Sequence, residues 1–162
     1  MKIDRAIEDV QDAEAELAKR LRITGERHAV EHDLYHLGHT LARRSAEHLD
    51  QLAAIASSYG VKPHRGDVAE SPGLLETARH KAAAVLGRSE VTGLLLLRDL
   101  RELYICAQEA EVAWTILIQA AKAKRDKDLL AVATPCHTEV ETCAKWIRTR
   151  IKETSPQVLA AG

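Results

Sequence analysis

The sequence predicts an all-α protein built as a bundle of four long helices. Hydrophobic residues make up 46% of the 162 residues, yet only 3% are aromatic and phenylalanine is absent. The core must therefore consist of Leu, Ile, Val and Ala, which favours helices over aromatic-rich strands. Along four stretches the apolar residues recur at spacings of three and four, the pattern of a helix with one buried face. A chain of this length suits a single domain over residues 1–162.

The first predicted helix covers residues 3–27 and the second covers residues 32–59. The apolar face of the first helix consists of Ile3, Ile7, Val10, Leu17 and Leu21. The apolar face of the second consists of Leu34, Leu37, Leu41, Leu52, Ile55 and Tyr59. The few residues between them allow only a short turn, so we expect an antiparallel hairpin.

The third predicted helix covers residues 89–124 and the fourth covers residues 127–153, with Pro156 expected to end the helical run. The apolar face of the third consists of Leu96, Leu100, Leu103, Ala107, Trp114, Ile118 and Ala121. That of the fourth consists of Leu129, Ala133, Val140, Ala144, Ile147 and Ile151. A short turn again predicts an antiparallel pair.

Residues 60–88, which connect the second and third helices, are far longer than the turn of a simple up-and-down bundle. They include a predicted short helix, for which Ser71 fits the N-cap, Pro72 the first turn and Gly87 the stop. A connection of this length suits a crossover that makes the second and third helices parallel. One long crossover of this kind is typical of ferritin-like bundles.

Composition excludes several classes of protein. The net charge of -1 and the absence of a basic face argue against nucleic-acid binding. The longest apolar run, residues 93–97, is far shorter than the ~20 residues that span a bilayer, and the acidic N-terminus is not that of a signal peptide. The three scattered cysteines suggest reduced thiols in the cytoplasm.

One ionisable side chain interrupts or flanks the apolar face of each predicted helix. In chain order these residues are Glu14, His48, Glu111 and His137. A buried carboxylate is costly unless it is paired, so a cation or mutual hydrogen bonds should accompany these groups. Carboxylate and imidazole suit Fe, Mn or Zn. The sequence therefore predicts either a metal site with these four ligands in the bundle interior or a metal-free hydrogen-bonded network.

The second and fourth helices repeat a Ser/Thr-x-x-His pattern. It reads Ser45-x-x-His48 in one and Thr134-x-x-His137 in the other. Di-metal bundles carry Glu-x-x-His at these places, so a hydroxyl stands where a carboxylate ligand is expected. Since two negative charges are missing, we expect one metal ion at most, or none.

Three segments resemble the ferritin-like superfamily, and within it the bacterial stress-induced YciF-like branch. "DAEAELAKRL" at 12–21 is similar to its first-helix motif, and "LARRSAEHLDQLAAIASSYGV" at 41–61 is similar to its second helix. "AQEAEVAWTILIQAA" at 107–121 is similar to its third helix. The resemblance implies an altered metal site formed by the same four residues, with metal binding linked to oxidative stress. A bound ion with an open position would allow oxygen or peroxide chemistry.

The alternative prediction is a non-catalytic helical module without metal, whose outer faces form a homodimer or bind another partner. In that case Glu14 and Glu111 turn to the rim and pair with Arg or Lys, or His48 is a core histidine bonded to Ser45 or Glu14. His137 would then belong to a capped helix start.

Four further histidines share one face opposite the leucines of the second helix, so we expect them in solvent, in a dimer contact or in a surface metal site. They are His28, His32, His36 and His39. The sequence also allows His28 to end the first helix and face inward.

Overall fold

The computed structural model describes residues 2–64 and 90–160. Within these ranges the chain forms four helices, which are α1 (Ile3–Arg27), α2 (His32–Ser58), α3 (Glu90–Lys124) and α4 (Lys127–Leu159). The prediction of an all-α protein with four packed helices is confirmed for this part of the chain. The predicted short helix of the 60–88 connection lies outside the described residues.

α1 and α2 form an antiparallel hairpin whose helices approach closely at two glycines. A Cβ atom added to Gly38 would lie 2.9 Å from the carbonyl oxygen of Leu21, and one added to Gly25 would lie 3.3 Å from that of Leu34. Real Cβ atoms essentially never come within 3.0 Å of a backbone atom, so the α1–α2 contact requires glycine at position 38. This contact fixes the register of the two helices near their connecting turn.

α3 and α4 are joined by a tight turn in which Arg125 has a φ of 57°. Asp126 caps α4, because its side chain accepts a hydrogen bond of 2.9 Å from the backbone N–H of Leu129. The hydroxyl of Tyr59, at the end of α2, donates to the same carboxylate. The turn is therefore fastened to the C-terminal end of α2.

α4 continues to Leu159, so the expectation that Pro156 ends the helix is wrong. Proline removes one backbone donor from the last turns, but the turns after it are still held by packing: the side chain of Val158 lies against Gly93 of α3. A Cβ at Gly93 would come within 2.8 Å of that side chain, which shows how closely the end of α4 packs on the start of α3.

The helices are arranged around one core, with α1 packed on α2 and α3, and α4 packed on α3 and more lightly on α2. Ion pairs between Arg27 and Asp99 and between Arg20 and Glu102 show that α1 and α3 are antiparallel. Those between α2 and α4, Arg44–Glu139 and Arg150–Glu31, show the same for the second pair. Consequently α2 and α3, which are consecutive in the described chain, run parallel.

The core between the four helices has large apolar side chains that are aliphatic apart from one indole. Its largest fully buried side chains are Trp114, Ile7, Leu17, Leu21, Leu34, Leu49, Leu52, Leu100, Leu103, Leu117, Leu129 and Ile147. No helix of the described residues has the length and apolar character needed to cross a membrane.

Candidate metal centre and buried polar network

Glu14 of α1 is the most deeply buried acidic side chain of the described residues, with 0% of its surface exposed. His48 of α2 approaches it with Nδ1 2.8 Å from Oε1. The indole N–H of Trp114, on α3, donates to the same oxygen at 2.6 Å. Three helices thus contribute to one buried hydrogen-bonded group, and two protein donors serve one oxygen of this carboxylate.

His48 connects this buried carboxylate to a second one at the bundle surface. Its Nε2 lies 3.2 Å from Oε2 of Glu139 on α4, and Arg44 donates to the same oxygen at 3.2 Å. Burial alone would lower the pKa of His48, but the hydrogen bond and charge of Glu14, followed by those of Glu139, offset this and raise it. The protonated imidazole is therefore favoured as the bridge between the two carboxylates.

The charges around Glu139 act in the opposite direction. Partial burial would raise the pKa of this carboxyl, but hydrogen bonds from His48 and Arg44 outweigh it and lower the pKa. Glu139 thereby completes a hydrogen-bonded series of four side chains, which begins at Glu14 in the core, passes through His48 and Glu139, and ends at the exposed Arg44.

A second group of acidic and imidazole side chains lies between α3 and α4. Glu111, His137 and Glu141 each offer one ligand atom, and these three atoms all lie within 4.8 Å of one another. All three residues are half-buried. Within residues 2–64 and 90–160 no other set of three or more His, Cys, Asp or Glu side chains meets this criterion.

Two residues of α3, Thr115 and Gln108, orient the side chains of this candidate metal site. Thr115 donates its hydroxyl hydrogen to the backbone carbonyl of Glu111 at 2.9 Å, so its oxygen accepts from Nε2–H of His137 at 3.0 Å. This contact selects the tautomer of His137 that leaves a lone pair on Nδ1. Gln108 donates to one oxygen of Glu111 at 2.7 Å, and the other oxygen of that carboxylate accepts none of the hydrogen bonds seen in the described residues.

The donor set fits a transition-metal ion. His137 and Glu141 are four residues apart on α4, so both side chains project from the same helix face. One imidazole nitrogen and two carboxylate oxygens are accepted ligands of zinc, manganese and iron. No lysine or arginine in the described part of the chain forms an ion pair with Glu111 or Glu141, so two neighbouring carboxylates lack a cation.

The four ligands predicted from the sequence are distributed over two places. Glu14 contacts His48 in the core, whereas Glu111 and His137 belong to the group between α3 and α4. Sequence reasoning missed Glu141, although its spacing of four from His137 is a recognisable signal. It also missed Glu139 and the indole N–H of Trp114, for which helical periodicity gave no indication of a polar role.

Of the four histidines predicted to share a face, His28 ends the first helix and faces inward, as the sequence also allowed. It forms the C-cap of α1, is buried, and lies with Nε2 2.8 Å from Oδ2 of Asp99 on α3. His32 and His36 are exposed, and His39 makes a 2.8 Å contact with Glu26. The described structure therefore separates His28 from the other three histidines, which lie on successive turns of α2.

The three cysteines are free and buried. Burial is the main cause that raises the pKa of Cys106 to about 11 and those of Cys136 and Cys143 to about 12. At neutral pH all three are thiols rather than thiolates, which suits small side chains of the core.

Comparisons with models of protein families, with curated proteins and with solved structures found no match.

Proposed function

We propose that this chain is a ferritin-like metal-binding protein that holds one divalent transition-metal ion between α3 and α4. The ligands are Glu111, His137 and Glu141. The observation that carries the proposal is the convergence of one imidazole and two carboxylates within 4.8 Å, with no paired cation in the described residues. Zinc serves as the probe ion, because its usual ligands include histidine and carboxylate, as do those of manganese and iron.

The ferritin-like assignment is supported by the direction of the helices. α1 is antiparallel to α2 and α3, and α4 is antiparallel to both as well. The resulting order, in which α2 and α3 are parallel, is the one that a long crossover produces.

The interior of the bundle supports an altered site, since protein groups occupy the place of a cation there. The imidazole of His48 and the indole N–H of Trp114 both face Oε1 of Glu14. A metal ion at Oε1 would have to compete with both donors, whereas Oε2 of this carboxylate is buried and accepts no hydrogen bond from the described residues. The ion-binding function is therefore assigned to the half-buried group, which solvent ions can reach.

Three protein ligands leave a position for water or a substrate atom. Zinc there would supply Lewis acidity, while iron or manganese would supply redox chemistry toward peroxide, which is the proposed form of the link to oxidative stress. The chain's own contribution is to fix the tautomer of His137 through Thr115 and to place both carboxylates on one side of it.

The experiment is a calorimetric titration of the metal-free protein with zinc, for wild type and for Glu141→Gln and His137→Gln. Thr115→Val tests the orienting hydroxyl. Two exposed positions on the same helices, Lys122→Gln on α3 and Thr138→Ala on α4, provide matched controls.

Wild type and both controls should bind one equivalent of zinc. Loss of an outer-shell partner typically weakens metal affinity by about 10–100-fold, so Thr115→Val should fall in that range and each ligand variant should fall at least as far. Affinity should also decrease at lower pH, because protons compete for the ligands. Equal affinity of wild type and both ligand variants would refute the proposal.

A further inference from the structure

The outer face of α3 carries a stripe of aliphatic side chains that no helix of the described bundle covers. Leu94, Ile105, Val112 and Ile116 are 52%, 48%, 57% and 57% exposed. Their successive separations of 11, 7 and 4 residues correspond to about three, two and one helical turns, so all four lie on one side of the helix. Large aliphatic side chains aligned in this way are typical of an interaction surface.

Two opposite charges flank the centre of this stripe symmetrically. Arg101 and Glu109 each lie four residues from Ile105, one on either side of it along the chain. Both are exposed, and neither forms an ion pair with another side chain of the described residues. Arg98, by contrast, pairs with Glu102 at 3.2 Å.

We propose that this face binds a second copy of the chain, with two α3 helices packed antiparallel and crossing at a shallow angle at Ile105. A two-fold axis at Ile105 places Arg101 of each copy across from Glu109 of the other. The same operation brings Leu94 of one copy toward Ile116 of the other. The two charges beside the stripe are thus complementary to themselves, as a closed dimer requires.

The charges also select the direction of the pair. In a parallel arrangement Arg101 would face Arg101 of the other copy, and Glu109 would face the other Glu109. Both contacts would then join like charges. Only the antiparallel arrangement converts them into two ion pairs. The net charge of -1 adds no strong general repulsion against self-association.

The test is sedimentation equilibrium of the full-length protein over a wide concentration range. Wild type should form a dimer. Ile105→Asp buries a charge at the crossing point and should weaken the dimer by about 100-fold or more. Arg101→Glu and Glu109→Arg should each weaken it by about tenfold, because each creates two like-charge contacts. The double variant Arg101→Glu/Glu109→Arg should dimerise with close to wild-type affinity. Arg148→Glu, at an exposed position on α4, should change the dimer affinity little.

Circular dichroism of each variant shows whether the helices remain folded; these positions are exposed in the described chain, so we expect no loss of helix. A wild-type protein that stays monomeric at every concentration would overturn the proposal, whatever covers the stripe. So would a dimer unaffected by Ile105→Asp, since that dimer would use another surface. Failure of the double reversal to restore association would overturn the antiparallel arrangement.

Discussion

His48 carries the most consequential electrostatic interaction of the interior. Its Nδ1 faces Glu14 and its Nε2 faces Glu139, so both ring nitrogens act as donors when the imidazole is protonated. Removing one partner of a buried charge pair leaves the other charge uncompensated, which costs about 3–5 kcal/mol in typical cases. The core of this bundle is therefore held by a specific polar contact as well as by aliphatic packing.

The first prediction concerns the pH dependence of this contact. Because the folded-state pKa of His48 is raised above 6.5, its contribution to stability is fully present below pH 6.5 and is lost as the pH rises through the folded-state pKa. His48→Leu should lower the free energy of unfolding by about 3 kcal/mol in mildly acidic solution and by less in alkaline solution.

Urea unfolding at several pH values measures this difference. His36→Leu, an exposed change on the same helix, should shift the free energy of unfolding by no more than about 0.5 kcal/mol at any of them. A His48→Leu deficit that grows as the pH rises would contradict the assigned charge of the imidazole.

At the residue scale, the sequence identified which polar residues are buried better than it identified their partners. Glu14 and His48 interrupt apolar faces, and both are buried; His48 contacts Glu14, one of the two partners that the metal-free alternative allowed it. Trp114 fits the same apolar periodicity, yet its N–H is a donor to Glu14. Periodicity reports the direction of a side chain and carries no information about which atom of it meets a neighbour on another helix.

Among the elements, the α1–α2 hairpin depends on a close backbone contact. Gly38 faces the carbonyl oxygen of Leu21 at a distance that leaves no room for a methyl group. The second prediction is that Gly38→Ala destabilises the protein by about 1 kcal/mol or more, although alanine is intrinsically favoured over glycine in a helix by a similar amount.

Thermal unfolding compares this variant with Ala54→Gly, an exposed position on α2 where only helix propensity changes. Ala54→Gly should cost about 1 kcal/mol for that reason alone. A Gly38→Ala protein that is more stable than wild type would show that α1 and α2 are not in close contact here.

The sequence predicts a helix end well where a strong capping residue sets it. It predicts the end less well where packing against another helix sets it. The predicted starts of the first two helices and of the fourth agree with the structure, and the start of the fourth is fixed by the Asp126 cap. The end of α4 was missed because Pro156 has a strong local effect, whereas the Val158–Gly93 contact that sustains the last turns joins distant parts of the sequence.

At the scale of the whole molecule, a metal ion between α3 and α4 would link two helices that otherwise meet mainly through aliphatic packing. An ion that binds only the folded state stabilises it by about 2.7 kcal/mol when its free concentration is 100 times the Kd. For a domain of this size each kcal/mol raises the Tm by roughly 2–4 °C, so the third prediction is a rise of about 5–10 °C with zinc.

Differential scanning calorimetry with zinc and with a chelator checks this expectation. His137→Gln should lose the rise, while Glu14→Gln, which alters only the interior network, should keep it even though its starting Tm is lower. If the rise in Tm disappeared in Glu14→Gln and persisted in His137→Gln, the ion would bind in the core beside Glu14 instead.

The overall order of the helices followed from the long 60–88 connection, whereas the location of the candidate site did not. Connection lengths restrict helix directions strongly, and the parallel α2 and α3 agree with that inference. The separation of the four predicted ligands depends on the rotation of each helix about its own axis. The rotations observed place Glu111 beside Glu141 of α4 and leave Glu14 with His48.

The central claim is that one transition-metal ion binds to Glu111, His137 and Glu141. Anomalous diffraction at the zinc absorption edge, from crystals of the protein grown with zinc, locates the ion directly. We predict a single intramolecular peak with these three residues as its protein ligands, and none beside Glu14 and His48. A zinc peak at the inner pair, or a zinc-free group between α3 and α4 at a saturating zinc concentration, would contradict the claim.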